Sequence, residues 1–154
     1  MNPAAAPAGA IDDPDRRAST GVEGLDNILG GGLTANRLYL LEGTPGTGKT
    51  TFALQFLRAG AAAGETGLYI TLSETDKELR AVARSHGWSL DGIAVHEMTG
   101  QLALGQEADQ SILHPSEIEL GETISAVTEA IERIGPARVV FDSLSEMRLL
   151  AQEP

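Results

Sequence analysis

The stretch GTPGTGKT at residues 43–50 decides the fold, and it directly follows the apolar run LYLL at residues 38–41. An apolar run of strand length, then a glycine-rich turn, then a helical pattern is the context of a phosphate-binding loop. Glycines let backbone N–H groups turn toward an anion, and the helix after them directs the positive end of its dipole to the same place. The alternative is a glycine-rich surface turn, which the flanking strand and helix patterns disfavour.

The loop residues have separate predicted roles in nucleotide binding. Lys49 reaches the outer phosphates, and the Thr50 hydroxyl in the first helical turn is placed to bind a magnesium ion that bridges them. Thr51 contributes packing or an inner phosphate contact. The predicted nucleotide-binding residues are Gly43, Thr44, Pro45, Gly46, Thr47, Gly48, Lys49, Thr50 and Thr51.

Composition limits the class of protein. A chain of 154 residues with 42% hydrophobic content predicts one packed domain. The formal net charge of -11 disfavours non-specific binding to nucleic acid or to an anionic membrane. The absence of cysteine excludes disulfides, thiolate metal sites and cysteine nucleophiles. No apolar run has the length of a membrane span, and the first residues lack the pattern of a signal peptide, so we expect a cytoplasmic protein.

The order of patterns along the chain predicts an α/β fold. Residues 1–17 are rich in Ala and Pro and are expected to form a flexible tail, with the domain at residues 18–154. Strand patterns at 67–72 and 93–96 alternate with helical ones, which favours a mostly parallel sheet with helices on its faces. Thr75 and Glu78 have the spacing of a capping box, so a helix is predicted to begin there.

The second half of the chain contains one unassigned loop and one further strand. Residues 99–116 are polar and aperiodic, and no ligand is assigned to them. A helical stripe of Ile124, Val127, Ile131 and Ile134 stops before a Gly-Pro pair. The run RVVFD at 138–142 then predicts a buried strand that ends in an acid.

Two acidic residues are candidates for the chemistry of a bound nucleotide. Asp142, at the carboxyl end of its strand, corresponds to a Walker B aspartate that holds magnesium, and its alternative role is a helix N-cap. Glu74, just past the second strand, is placed to orient or deprotonate the attacking water. Its alternative role is that of an ordinary acid in a helix-start turn.

Four segments together resemble the KaiC and RadA branch of the RecA-like ATPases. They are TGVEGLDNILGGGL at 20–33, YITLSET at 69–75, RSHGW at 84–88 and VVFDS at 139–143. The resemblance covers about residues 18–150 and is strongest to bacterial KaiC-like proteins. It implies a RecA-type P-loop NTPase fold, with ATP and Mg²⁺ held between neighbouring subunits of a hexameric ring.

In that family an acidic pair after the second strand acts as the catalytic base. The pair corresponds by position to Ser73 and Glu74, so only the second acid is present. The resemblance therefore implies Glu74 and Lys49 as catalytic residues, and Thr50 and Asp142 as metal ligands. The loss of the first acid leaves the rate of hydrolysis open.

The chain stops at Pro154, whereas the family domain continues through further strands. We therefore expect an incomplete domain, truncated after the Walker B strand. In RecA-like sheets the next strand inserts between the phosphate-loop strand and the Walker B strand. Without it, the strands ending at Leu41 and Asp142 share no neighbour, so poor independent stability is predicted.

Three functions remain open from the sequence. The leading hypothesis is an ATP-hydrolysing domain of a KaiC-like signalling ring, with autokinase activity and a partner signalling protein as extensions for the complete protein. The second is an ATP-dependent DNA-binding recombinase paralogue, against which the acidic balance argues. The third is a nucleotide-binding interaction module without turnover, which the serine at position 73 suggests.

Overall fold

The computed structural model describes residue 13 and residues 15–98 and 115–145. Most of the predicted tail and residues 99–114 of the unassigned loop lie outside this part of the chain. The described elements are β1 Arg17–Ala18, α1 Glu23–Ile28, β2 Leu33–Thr34, α2 Lys49–Ala62, β3 Gly67–Thr71, α3 Asp76–Ser85, β4 Ile93–Glu97, α4 Pro115–Ile134 and β5 Arg138–Asp142.

A parallel sheet of three strands in the order β4-β3-β5 forms the centre of the described structure. Gly67 of β3 pairs with Ile93 on one side and Arg138 on the other, so the three strands start in register. The predicted strands at 67–72, 93–96 and 138–142 are confirmed within one residue at each end. Helices cover both faces, which confirms the α/β class.

The central strand separates two cores because its side chains alternate between faces. Tyr69 packs with Leu54 and Leu57 of α2 and with Leu79 of α3. On the opposite face, the neighbouring residues of β3 pack with Ala130 of α4. Every residue of β3 is buried, as expected for a central parallel strand. The phosphate loop lies on the same face of the sheet as Tyr69, because α2 packs on that face and begins at the loop.

The apolar run before the loop does not form a strand, so that prediction was wrong. Residues 38–41 have no strand assignment, and Leu38 and Leu40 are 99% and 68% exposed. A strand persists only where a neighbour accepts and donates its backbone hydrogen bonds, and no strand of the described residues pairs with this run.

The predicted helices α3 and α4 are both present. The capping box of α3 is present: the Thr75 hydroxyl accepts from the backbone N–H of Glu78, whose carboxylate accepts from the Thr75 N–H. In α4, Val127 and Ile134 pack against the core as predicted, but Ile124 and Ile131 are exposed. The small Ala130 lies at the contact with β3 instead, which turns those two isoleucines outward.

A buried arginine ties the N-terminal segment to the sheet. Arg138, at the start of β5, donates from Nε to Glu65 at 2.6 Å and from a terminal nitrogen to the carbonyls of Ser19 and Phe56 at 2.6 and 2.9 Å. Glu65 also pairs with Arg16 at 2.6 Å. The short strands β1 and β2, which pair antiparallel, are thereby fixed beside α2.

Candidate nucleotide-binding site

The loop at residues 43–50 favours glycine at three positions, at two of them because of the backbone conformation. Gly46 and Gly48 have φ angles of +82° and +90°, in the left-handed region that other residues avoid. A Cβ at Gly43 would lie 2.7 Å from the Thr47 hydroxyl oxygen. Gly48 is also the N-cap of α2, so the helix begins at Lys49 and its first N–H groups face the loop.

The Lys49 side chain folds back over this loop. Its Nζ donates to the carbonyl oxygens of Gly43 at 2.8 Å and Thr44 at 3.2 Å. The Thr47 hydroxyl donates to the same Thr44 carbonyl at 2.8 Å. A positive charge and the amino end of a helix therefore lie together at an exposed loop, and this arrangement fits an anionic phosphate chain.

Two residues 92 positions apart meet at the start of α2 and the end of β5. The Thr50 hydroxyl donates to Oδ2 of Asp142 at 3.3 Å. The hydroxyl of Tyr69, from the middle of β3, donates to the same oxygen at 2.5 Å. Burial first, and then the hydrogen bond to Asp142, raises the pKa of Tyr69, so the phenol stays protonated and remains a donor.

These oxygens fit the ligand preference of magnesium. Mg²⁺ takes hard oxygen ligands, keeps several waters and is bound through only one or two protein groups beside substrate phosphates. Thr50 and Asp142 supply a hydroxyl and a carboxylate at one place. Within residues 15–98 and 115–145 no group of three or more His, Cys, Asp or Glu residues could hold a metal ion by itself. One hydroxyl and one carboxylate fit a magnesium ion whose other ligands are waters and the phosphates of a nucleotide.

Glu74 lies in the turn between β3 and α3, where Thr71 fixes its backbone. The Thr71 hydroxyl accepts from the Glu74 N–H and donates to the Glu74 carbonyl, both at 2.9 Å. The Glu74 side chain is half-buried, and its Oε2 has no hydrogen-bond partner among the described residues. Burial, and then the charges of Asp142 and Glu78, raise the pKa of Glu74.

Tyr69 and Thr71 contact Asp142 and Glu74, and neither contact was predicted from the sequence. Both lie in a strand whose apolar composition indicates only core. Side chains alternate between the two faces of a strand, so residues 69 and 71 of β3 lie on the same face as the site. This alternation was the signal in the sequence that could have identified them. Asp142 accepts hydrogen bonds from Tyr69 and Thr50, contacts that its alternative role as an N-cap does not explain.

Residues 18–154 match the family described as "ATPase: KaiC". The chain belongs to the KaiC ATPase family. It is similar to the UPF0273 protein PH0284 of Pyrococcus horikoshii, with 34% identity over 139 residues that cover 86% of this chain and 56% of that protein. It is also similar to the circadian clock protein KaiC3 of Synechocystis, with 35% identity over 136 residues that cover 86% of this chain and 26% of that protein.

A solved structure supports the same assignment. The KaiC-like protein PH0186 from Pyrococcus horikoshii superposes with a TM-score of 0.70 and 29% identity, covering 90% of this chain and 58% of that chain. The predicted RecA-type P-loop fold and the resemblance to KaiC-like proteins are thereby confirmed. The chain spans little more than half the length of its UPF0273 relatives. In the described residues, no helix combines the length and apolarity that a bilayer crossing requires.

Proposed function

We propose that this chain binds ATP with Mg²⁺ and that the complete protein hydrolyses it. The observation that carries the proposal is the meeting of Thr50 and Asp142 at 3.3 Å, beside a loop whose glycines at positions 46 and 48 have positive φ angles. Membership of an ATPase family supports ATP as the nucleotide. The proposal assigns the phosphates to the amides of residues 43–51.

Lys49 and the metal ligands have different tasks in this proposal. Lys49 exchanges its two carbonyl partners for phosphate oxygens, which it holds by charge. Thr50 and Asp142 hold the ion, one through a hydroxyl and the other through a carboxylate. When bound, the ion would neutralise negative charge on the phosphates.

Glu74 is the proposed general base. A carboxylate is a better proton acceptor when its pKa lies above the usual range, and burial together with Asp142 and Glu78 raises the pKa here. Its Oε2 is buried and has no hydrogen-bond partner among the described residues. The Thr71 hydroxyl holds the backbone at this position, so the carboxylate projects from a fixed point.

Steady-state ATPase of the full-length gene product tests the proposal. Lys49→Ala is expected to abolish nucleotide binding, whereas Glu74→Gln is expected to keep binding and lose turnover by about a hundredfold or more. Lys77→Ala is the matched control, because Lys77 is exposed on α3. Full turnover in Glu74→Gln would refute its role as base, and undiminished binding in Lys49→Ala would refute the site.

We further place this activity in a ring-forming regulatory protein rather than in a nucleic-acid recombinase. The net charge of -11 supports this choice, because phosphate backbones would be repelled. Relatives named as circadian clock proteins support regulation. Light scattering of the full-length product with and without ATP is expected to show ATP-dependent assembly. ATPase stimulation by single-stranded DNA would favour the recombinase instead.

A further inference from the structure

Tyr69 reaches the proposed metal site from inside the core. Its side chain is 0% exposed, and its ring packs among Leu54, Leu57 and Leu79. The ring cannot swing away without opening this core, so packing fixes the position of the hydroxyl. That hydroxyl donates to Oδ2 of Asp142 at 2.5 Å.

The Asp142 carboxylate depends on such a donor for its orientation. The terminal torsion of an aspartate is broad and two-fold, so the backbone of β5 alone does not set the plane of the carboxylate. The hydrogen bonds from Tyr69 and Thr50 both end on Oδ2, at 2.5 and 3.3 Å. The tyrosine bond is the shorter one, and its donor is shielded from water.

We propose that Tyr69 is a positioning residue whose hydroxyl fixes the Asp142 carboxylate relative to Thr50, so that the two present their oxygens to Mg²⁺ together. The inference rests on the proposed function, because it requires a magnesium nucleotide at this loop. In this role Tyr69 does not bind the ion itself but donates a hydrogen bond to Asp142, which does. Loss of such a partner typically costs about 10–100-fold in metal affinity.

The variant Tyr69→Phe keeps the ring in the core and removes only the hydroxyl. The matched control is Tyr39→Phe, because the Tyr39 hydroxyl donates to the Thr34 carbonyl at 3.1 Å, away from Asp142. Binding of a fluorescent ATP analogue to the full-length product is measured across a Mg²⁺ series and in EDTA, together with the thermal midpoint. We expect Tyr69→Phe to require about tenfold more Mg²⁺, with unchanged affinity in EDTA, and Tyr39→Phe to behave as wild type.

The outcomes distinguish a failure of the proposed function from a failure of the inference about Tyr69. If wild type shows no Mg²⁺-dependent nucleotide binding, the proposed function fails and the inference falls with it. If wild type shows that dependence and Tyr69→Phe shares it while melting earlier, Tyr69 is only a core residue and the inference alone is overturned.

A second measurement avoids any loss of folding in the phenylalanine variant. 3-Fluorotyrosine, which retains the hydroxyl, is placed at position 69 by amber suppression, and at position 39 as the control. When Mg²⁺ is added to the nucleotide-loaded protein, the fluorine resonance at position 69 is expected to move and that at position 39 to stay. A stationary resonance at position 69 would overturn the inference.

Discussion

Glu74 is a carboxylate that opposes folding while it is ionised. Its pKa is raised by burial and by the charges of Asp142 and Glu78, and its Oε2 lacks a partner among the described residues. We therefore expect Glu74→Gln to raise the thermal midpoint at neutral pH even as it removes turnover. Glu132→Gln, at an exposed position of α4, is the control and is expected to leave the midpoint unchanged.

The sign of the pH dependence follows from the direction of the Glu74 shift. Because the folded state holds this proton more tightly than the unfolded state, the stabilising contribution is present below the ordinary pKa of 4.5 and is lost as pH rises through the raised value. The advantage of Glu74→Gln over wild type should therefore grow as the pH rises from 4.5 toward neutrality in thermal melts. A constant difference across that range would contradict this assignment.

At the scale of the elements, β5 depends on the buried charge of its first residue, Arg138. Arg138 is 6% exposed and donates to Glu65 and to two backbone carbonyls. Arg138→Met removes all of these bonds and leaves Glu65 only its ion pair with Arg16, so we expect a loss of about 3 kcal/mol in the free energy of unfolding.

The control for this prediction is another arginine in a single ion pair. Arg80 bonds Asp76 one turn away on the exposed face of α3, at 2.7 Å. Arg80→Met is expected to cost only about 0.3–0.5 kcal/mol, because surface pairs of this spacing are screened by water. Urea unfolding of both variants measures the contrast, and equal losses would show that the Arg138 contacts contribute little.

Local features of the elements were predictable, and features that depend on distant partners were not. The capping box at Thr75 and the loop at residues 43–50 are set by neighbouring residues, so their spacing identifies them. The run at 38–41 has a strand composition, but a strand also needs a neighbour to bond. Tyr69 and Arg138 have roles set by residues 73 positions away, which no local pattern indicates.

At the scale of the whole molecule, the described structure exposes apolar surface near its nucleotide loop. Leu38 and Leu40 are 99% and 68% exposed, and Val139 of β5 is 40% exposed. We expect the isolated 154-residue chain to unfold without a sharp cooperative transition. A cooperative calorimetric transition whose midpoint rises with ATP and Mg²⁺ would contradict this expectation.

The close packing of Gly60 against Arg138 has a consequence for the distant end of the same helix. A Cβ at Gly60 would lie 2.6 Å from Cδ and Nε of Arg138, whose bonds to Glu65 and to backbone carbonyls prevent it from moving aside. Gly60→Ala is therefore expected to push α2 outward from β5. Thr50 lies in the first turn of the same helix. The absence of one methyl group at position 60 thus helps to set the distance between the Thr50 hydroxyl and the Asp142 carboxylate.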